Sequence, residues 1–261
     1  MKKNFFLILL PLAFLTGCSK ESGDTLERIK SKGEIVIAME GAWAPWTYHD
    51  QENNLTGYDV AVGKKIAEKL GVKATFVEVD WDGIFAGLDS KRYDLACNGV
   101  EATKERSYKY DFSIPYAYTQ AALIVRKDND YILSLEDLNG KTTTNSIGST
   151  YENLAVTNGA KVITIDSFDQ TLELVEQGRA DATFNDTATF SYYQKVQPEN
   201  NFKIAAYAPK KSKVAIPMRK GKEDESLRQA VNSALEDLIS SGELAALSVE
   251  FFGRDLTKEH L

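Results

Sequence analysis

Glu34-Ile-Val-Ile-Ala-Met39, Tyr58-Asp-Val-Ala-Val-Gly-Lys-Lys-Ile-Ala-Glu-Lys-Leu70 and Ala74-Thr-Phe-Val-Glu-Val79 decide how this chain folds. The first run is β-branched and almost wholly apolar, as a buried strand requires. In the second, Val62, Ile66, Ala67 and Leu70 recur at helical spacing and Gly71 supplies the stop. The third reads as strand again. A helix over Asp82 to Ser90 and a strand over Asp94 to Asn98 continue the series. Strands alternating with helices in this way are the grammar of a parallel, doubly wound α/β sheet.

After a strand at Ala121 to Val125 the grammar restarts. Ser134 to Gly140 reads as a short helix and turn, Lys141 to Ile147 as a strand, and Ser149-Thr-Tyr-Glu152 as a capping box. A strand at Lys161 to Ile165, a second capping box at Ser167-Phe-Asp-Gln170, a helix to Gln177 and a strand at Ala180 to Asn185 follow. An internal echo relates the two units. Arg92, Asp94 and Asn98 in one match Arg179, Asp181 and Asn185 in the other, each pair 87 residues apart (179 − 92, 181 − 94, 185 − 98). Both matched segments end at the carboxyl end of a strand, where open α/β sheets bind ligands. A strand pattern at Val214 to Met218 leads into a long helix whose Leu227, Ala230, Val231, Ala234, Leu235, Leu238 and Ile239 form one apolar face. That face is expected to pack on the first unit and make it discontinuous.

The amino terminus reads as a processing signal. Lys2 and Lys3 precede an apolar run from Phe5 to Leu15, too short to span a bilayer, which takes about 20 residues. Leu15-Thr16-Gly17-Cys18 then resembles the bacterial lipoprotein box, which implies a signal peptide over residues 1–17, lipid on Cys18 and a tether over 18–30. Loss of Lys2 and Lys3 with the signal moves the net charge from −7 to −9 (−7 − 2). Such acidity argues against nucleic acid and against a basic membrane-binding face. Cys97 is the one other cysteine and reads as a small buried hydrophobe. There is no zinc or redox cysteine motif, and His49 and His260 give little basis for a metal site, so no metal or cofactor is expected.

Three features suggest a binding site. Trp43 and Trp81 fall just beyond strands, where cleft walls would stand, whereas Trp46 reads as core. Arg106, in Thr103-Lys-Glu-Arg106, could form a bidentate pair with a carboxylate; alone, it would more often be a surface ion pair. The Gly148-Ser149-Thr150-Tyr151 turn opens a helix whose free N–H groups favour an anion.

Taken together, these features resemble the extracellular solute-binding proteins of amino-acid ABC importers, over about Ile35 to Phe252. The motifs are Trp43-Ala-Pro-Trp-Thr-Tyr48, Leu55-Thr-Gly-Tyr-Asp59, Trp81-Asp-Gly-Ile-Phe-Ala-Gly-Leu88, Asn98-Gly-Val-Glu-Ala-Thr-Lys-Glu-Arg106, Tyr110-Asp-Phe-Ser-Ile-Pro-Tyr116 and Gly178-Arg-Ala-Asp-Ala182. The resemblance implies the type II periplasmic-binding-protein fold, an α/β architecture of two lobes, each an open, mostly parallel sheet flanked by helices. Lobe 1 would be residues 31–117 with 215–261, lobe 2 residues 121–207, and the crossings 118–120 and 208–214 the hinge.

It also implies site roles. Arg106 takes the ligand α-carboxylate, helped by N–H groups near Glu101 and Thr150. Asp186 takes the α-ammonium, with the Gly99 carbonyl and Glu101 beside it and Asn98 adjacent. Trp43 and Trp81 sandwich the side chain, and Ser149, Thr150 and Tyr151 close from lobe 2. Glu101 stands where many relatives have Ser or Thr, and Glu40 where relatives often read the side chain. Several carboxylates around one ammonium argue for a second cation on the ligand and so for arginine, lysine or histidine. Cystine, cysteine or glutamine stay open if Glu101 instead pairs with Lys104 or Arg106. The implied protein is a monomer, exported and lipid-anchored, that binds an amino acid and delivers it to a membrane permease. The rivals are an enzyme on the same fold, such as a prephenate-type dehydratase or a cell-wall lytic enzyme, and a sensory ectodomain. No Ser/His/Asp or Cys/His constellation and no later transmembrane stretch within the 261 residues speak for either.

Overall fold

A computed structural model describes residues 23–259. The signal-like segment 1–17, Cys18, the tether up to residue 22, and His260 lie outside the described residues. The remainder of the tether is not a tether. Asp24 caps helix α1 (Thr25–Lys32), Gly33 ends it in the left-handed region, and Ile29 is fully buried. Its mean polarity hid a single apolar face that docks on the core.

Strand β1 (Glu34–Met39) is followed by a short antiparallel pair, β2 (Tyr48–His49) and β3 (Leu55–Thr56). Helix α2 (Tyr58–Leu70), strand β4 (Lys73–Glu78), helix α3 (Trp81–Asp89) and strand β5 (Leu95–Ala96) complete a parallel sheet of order β4-β1-β5. The third strand is shorter than its sequence pattern suggested, although Asp94 and Cys97 still bond through their N–H groups to Val36 and Ala38 of β1. Helix α4 (Lys104–Lys109) and β6 (Tyr110–Phe112) then lead to the first crossing, β7 (Ala117–Thr119).

Beyond it, β8 (Ala121–Arg126) precedes a 3₁₀ turn at Glu136–Leu138. Next come β9 (Thr142–Asn145), α5 (Thr150–Thr157), β10 (Lys161–Thr164), α6 (Phe168–Glu176), β11 (Ala182–Asp186), α7 (Thr187–Val196) and β12 (Phe202–Tyr207). Their sheet has the order β10-β9-β11-β8-β12. β9, β10 and β11 are parallel, but β8 is antiparallel to β11, with Ala121 opposite Asp186. One strand starts at the crossing where the other ends, so they must run opposite ways. The chain returns through β13 (Ser212–Val214), antiparallel to β7 with Thr119 opposite Ser212. The two crossings are therefore hydrogen-bonded to each other.

β14 (Pro217–Arg219) pairs with β6, and α8 (Lys222–Ser240) and α9 (Glu243–Phe252) end the fold. Leu227, Val231, Leu235 and Leu238 of α8 are fully buried in one cluster with β1 and α2, so the return to the first lobe is real. Ile239, counted on that face by spacing, is 44% exposed, one step past its edge. Cys97 lies in the same cluster, and burial pushes its thiol far up. Among the described residues, no helix is long and apolar enough to cross a membrane.

The internal echo is structural. Asp94 is 3% exposed; it accepts from Val36 N at 2.9 Å and pairs with Arg28. Asp181 accepts from Thr142 N at 2.8 Å. Each carboxylate thus pins a neighbouring strand, Asp94 at the third residue of β1 and Asp181 at the first of β9. The N–H groups of Arg92 and Arg179 both close their preceding helices by bonding five residues back, to Gly87 and Leu174. Lys91 and Gly178, one residue earlier, both hold positive φ, 57° and 69°. Asp94→Ala leaves an amide and a guanidinium without their acceptor and should lower stability by about 2–3 kcal/mol in denaturant melts. Asp181→Ala, at a half-buried site, should cost about 1 kcal/mol.

Candidate ligand-binding site

A cavity of about 150 Å³ lies between the lobes, at the carboxyl ends of β1, β9 and β11. Nine of the eleven residues expected from sequence line it; Asn98 and Asp186 do not.

The first wall depends on how the Trp43–Trp46 loop meets α2. The N–H groups of Tyr58 and Asp59 donate to the carbonyls of Pro45 (2.9 Å) and Trp46 (3.0 Å), so the loop satisfies the helix's first turn. Gly57 has φ 124°, and a Cβ there would strike the Trp46 carbonyl. From that first turn, Asp59 sits fully buried and accepts from Gly99 N (2.5 Å) and Tyr116 Oη (2.7 Å). Gly99, at φ 56°, lies flat against the Trp43 ring, leaving no room for a Cβ. Trp43 in turn stacks on Trp46 at 5.6 Å between centroids. Trp46 is core, as its sequence setting suggested, and is fully buried.

Arg106 belongs to α4, whose first turn is capped by Thr103 Oγ1. Its guanidinium stacks on Trp81 and Phe85, 5.0 and 5.3 Å from their ring centroids. It donates to the carbonyls of Glu101 (3.0 Å) and, across the cleft, Gly148 (3.3 Å). Among the described residues no carboxylate lies within ion-pair distance of it, and burial lowers its pKa. Glu101 is paired with neither Lys104 nor Arg106. Trp81 is only 9% exposed, and its ring carries the Arg106 guanidinium. Opposite stands the start of α5, where Ser149 Oγ accepts from Glu152 N (3.0 Å) and Glu152 accepts from Gly148 N (2.6 Å). That capping box forms with the return bond one residue early, and it presents the first-turn N–H groups of Thr150 and Tyr151. The second expected box is absent: Ser167 caps nothing and lines the cavity instead.

Two assignments change. Asn98 acts through Glu40: its Oδ1 accepts from Glu40 N (2.8 Å) and its Nδ2 donates to Glu40 Oε2 (2.5 Å). Asp186 is 1% exposed and caps α7. Its oxygens accept from Ala188 N, Thr189 N, Thr189 Oγ1 and, from the other lobe, Trp46 Nε1 at 3.1 Å. Four donors fill a carboxylate, so in this arrangement Asp186 ties the lobes together rather than facing the cavity. Sequence reading missed Asp80, Asn145, Ser146 and Asp166, all of which line the cavity. The strand-end position of Asn145 was the available signal for that residue.

Burial pushes the Glu40 carboxyl up to about 7, opposed by the Asn98 bond and reinforced by Asp166 and Asp80. Burial also lifts Asp59 to about 7. Between the ordinary carboxyl range near 4 and about 7, the folded chain keeps protons that the unfolded chain has released. Stability therefore falls as pH rises through that window. Calorimetric melting of the unliganded protein from pH 5 to 8 should show a declining midpoint, and Glu40→Gln should flatten the decline. An unchanged slope in that variant would contradict the assignment.

Comparison with known proteins agrees with this geometry. The profile of the bacterial extracellular solute-binding proteins, family 3, matches residues 35–254. The L-cystine-binding protein TcyA of Bacillus subtilis is 39% identical over 91% of this chain and 88% of its own length. A probable amino-acid ABC transporter-binding protein of Haemophilus influenzae is 36% identical over 99% of this chain and all of its own. Among solved structures, an ancestral arginine-binding protein bound to arginine superposes with a TM-score of 0.79 and 35% identity, covering 85% of this chain and 99% of that one. Lobes, crossings and cavity are those of a two-lobed binding protein, and the chain belongs to the bacterial extracellular solute-binding proteins, family 3.

Proposed function

We propose that this protein is the substrate-binding lipoprotein of an amino-acid ABC importer, anchored by lipid on Cys18. It takes a free polar or cationic L-amino acid by hinge closure and delivers it to the permease. The supporting observation is Arg106. A guanidinium has five donors, and this one spends two on carbonyls while standing desolvated on two aromatic rings, with no counter-ion among the described residues. A ligand α-carboxylate completes it, with the Thr150 and Tyr151 N–H groups facing the same anion. The Gly99 carbonyl and Glu101 accept from the α-ammonium. Asp186 joins them by exchanging one of its present donors for that ammonium. Trp43 forms the side-chain wall.

Charge-assisted bonds contribute about 1.5–3 kcal/mol each, so three or four account for binding near −8 kcal/mol, roughly micromolar. The antiparallel β7 and β13 crossings would carry the lobe rotation. Relatives that bind cystine and arginine are compatible with this chemistry and leave several ligands to compare.

A thermal-shift series with the twenty amino acids and cystine should give a clear rise with at least one of them, since binding to the folded state raises its stability. Arg106→Ala should weaken that ligand about 100-fold or more, because a buried carboxylate loses its partner. Ligand recovered chemically altered after incubation would overturn the receptor reading in favour of an enzyme. Cys18→Ala should move the protein from the membrane fraction to the soluble one; retention on the membrane would remove the anchor from the proposal.

A further inference from the structure

Asp186 takes donors from both lobes, and its four donors are not equivalent. Ala188 N (2.8 Å) and Thr189 N (2.9 Å) cap α7 through Oδ1. Thr189 Oγ1 donates to Oδ2 at 2.7 Å from the same helix. These three belong to α7 and travel with Asp186 whenever the lobes turn. The fourth, Trp46 Nε1 at 3.1 Å from Oδ2, comes from the first lobe. It is the donor that can leave without undoing the helix cap.

The departing indole has a second acceptor in reach. The same N–H lies 3.2 Å from Thr189 Oγ1, whose own proton is committed to Asp186 and whose lone pairs stay open. Moving onto that oxygen spares the indole the desolvation cost of an unpaired buried donor. The ring itself is held in place: Trp46 is fully buried, stacked on Trp43 and met edge-on by Tyr58 (5.7 Å) and Phe252 (4.8 Å). A small tilt therefore passes the N–H from carboxylate to hydroxyl with the packing intact. The contact also stands beside the cavity. Gly99, which lines it, abuts the same ring, since a Cβ there would lie 3.3 Å from Trp46 Cδ2. Asn185, next to Asp186, lines it from the other lobe. An ammonium taken by the Gly99 carbonyl arrives next to the bond between indole and carboxylate.

We propose that the Trp46 indole N–H is an internal surrogate for the ligand's α-ammonium, holding Asp186 Oδ2 until the ammonium displaces it onto Thr189 Oγ1. Trp46 is then a positioning residue that sets affinity without touching the ligand. The inference rests on the amino-acid-receptor reading and deepens it. With the surrogate in place, the lobes can meet without leaving a buried carboxylate short of a donor. The ligand must replace a bond rather than fill an open position, so affinity is held down and release to a partner is easier. The tie between the lobes survives the exchange, because Thr189 belongs to α7 and still accepts from Trp46.

Trp46→Phe keeps an aromatic ring against Trp43 and removes the N–H. Titration calorimetry on the full-length protein would compare it with wild type on L-arginine, L-cystine and L-glutamine. Each is paired, by displacement, with the analogue lacking the α-amino group: 5-guanidinopentanoate, 3,3′-dithiodipropionate and glutaramate. The variant should bind the amino acid about threefold or more tighter, the equivalent of one modest hydrogen bond, and change the analogue by less than about twofold. An amino acid bound no tighter, or an analogue tightened equally, would overturn the surrogate; where neither protein binds the analogue, the first comparison decides. Should the variant not fold, NMR of wild type carrying labelled tryptophan decides, with Trp43→Phe and Trp81→Phe identifying the other two indoles. Saturating ligand should move the Trp46 indole proton upfield, as a bond to a carboxylate gives way to one to a hydroxyl, and an unmoved or downfield proton would overturn the exchange. If none of the three amino acids binds wild type, the thermal-shift series names the one to use; if none there binds either, the receptor reading fails and the surrogate with it. Binding with an unchanged Trp46 removes the surrogate alone.

Discussion

The buried carboxylate of Asp59 holds together the parts on which the binding cleft depends. It stands in the first turn of α2, accepts from the Gly99 amide at the floor of the cleft, and accepts from Tyr116 where the chain enters the first crossing. Tyr58, beside it, donates its hydroxyl to the Tyr116 carbonyl at 3.1 Å. A helix start, a strand-end loop and a hinge are thereby fixed to one another. Gly99 then sets Trp43, and the loop after Gly99 carries Glu101 and leads to Arg106. A change at Asp59 would reach the ligand without touching it.

The cleft is polarised along its length. At one end a desolvated guanidinium rests on aromatic rings and faces a helix amino terminus, an arrangement that needs an anion. At the other, Glu40, Asp80 and Asp166 line the cavity together with Asn145. The hydrogen bonds across the cleft include Arg106 with Gly148, Trp46 with Asp186 and Thr189, and Arg254 with Thr187 at 2.9 Å, and the rings of Tyr48 and Tyr192 meet at 6.1 Å between centroids. A few exchangeable polar bonds suit lobes that open and close better than a continuous apolar seam would. The apolar joint is local, where Ala188 of α7 joins the cluster shared by β1, α2 and α8.

Legibility followed the range of the interaction. Helix α2, its Gly71 stop, the Ser149 cap and the α8 face rest on residues three or four apart, and each was readable from spacing. The α7 helix was not, because Thr187-Ala-Thr-Phe-Ser-Tyr-Tyr carries β-branched and aromatic residues that mimic strand. Helix α1 was mistaken for tether because its one fully buried apolar side chain, Ile29, sits among charges. Nine residues that line the cavity were read from motifs at strand and helix ends; Asp166, in a loop with no motif, was not.

The sequence by itself determined the alternation of strands and helices, the two-unit division and most of the polar residue types that line the cavity. Those are properties of local spacing and of side-chain chemistry. Only the tertiary structure decided which acids face the cavity. It turned Asp186 inward, onto donors that include an indole 140 residues away, and gave Asn98 to Glu40, 58 residues distant. It also brought Asp80 and Asp166 to one cleft from different lobes. Each of these partnerships depends on how two separate sheets are set against each other, a relation that no local window of the chain contains.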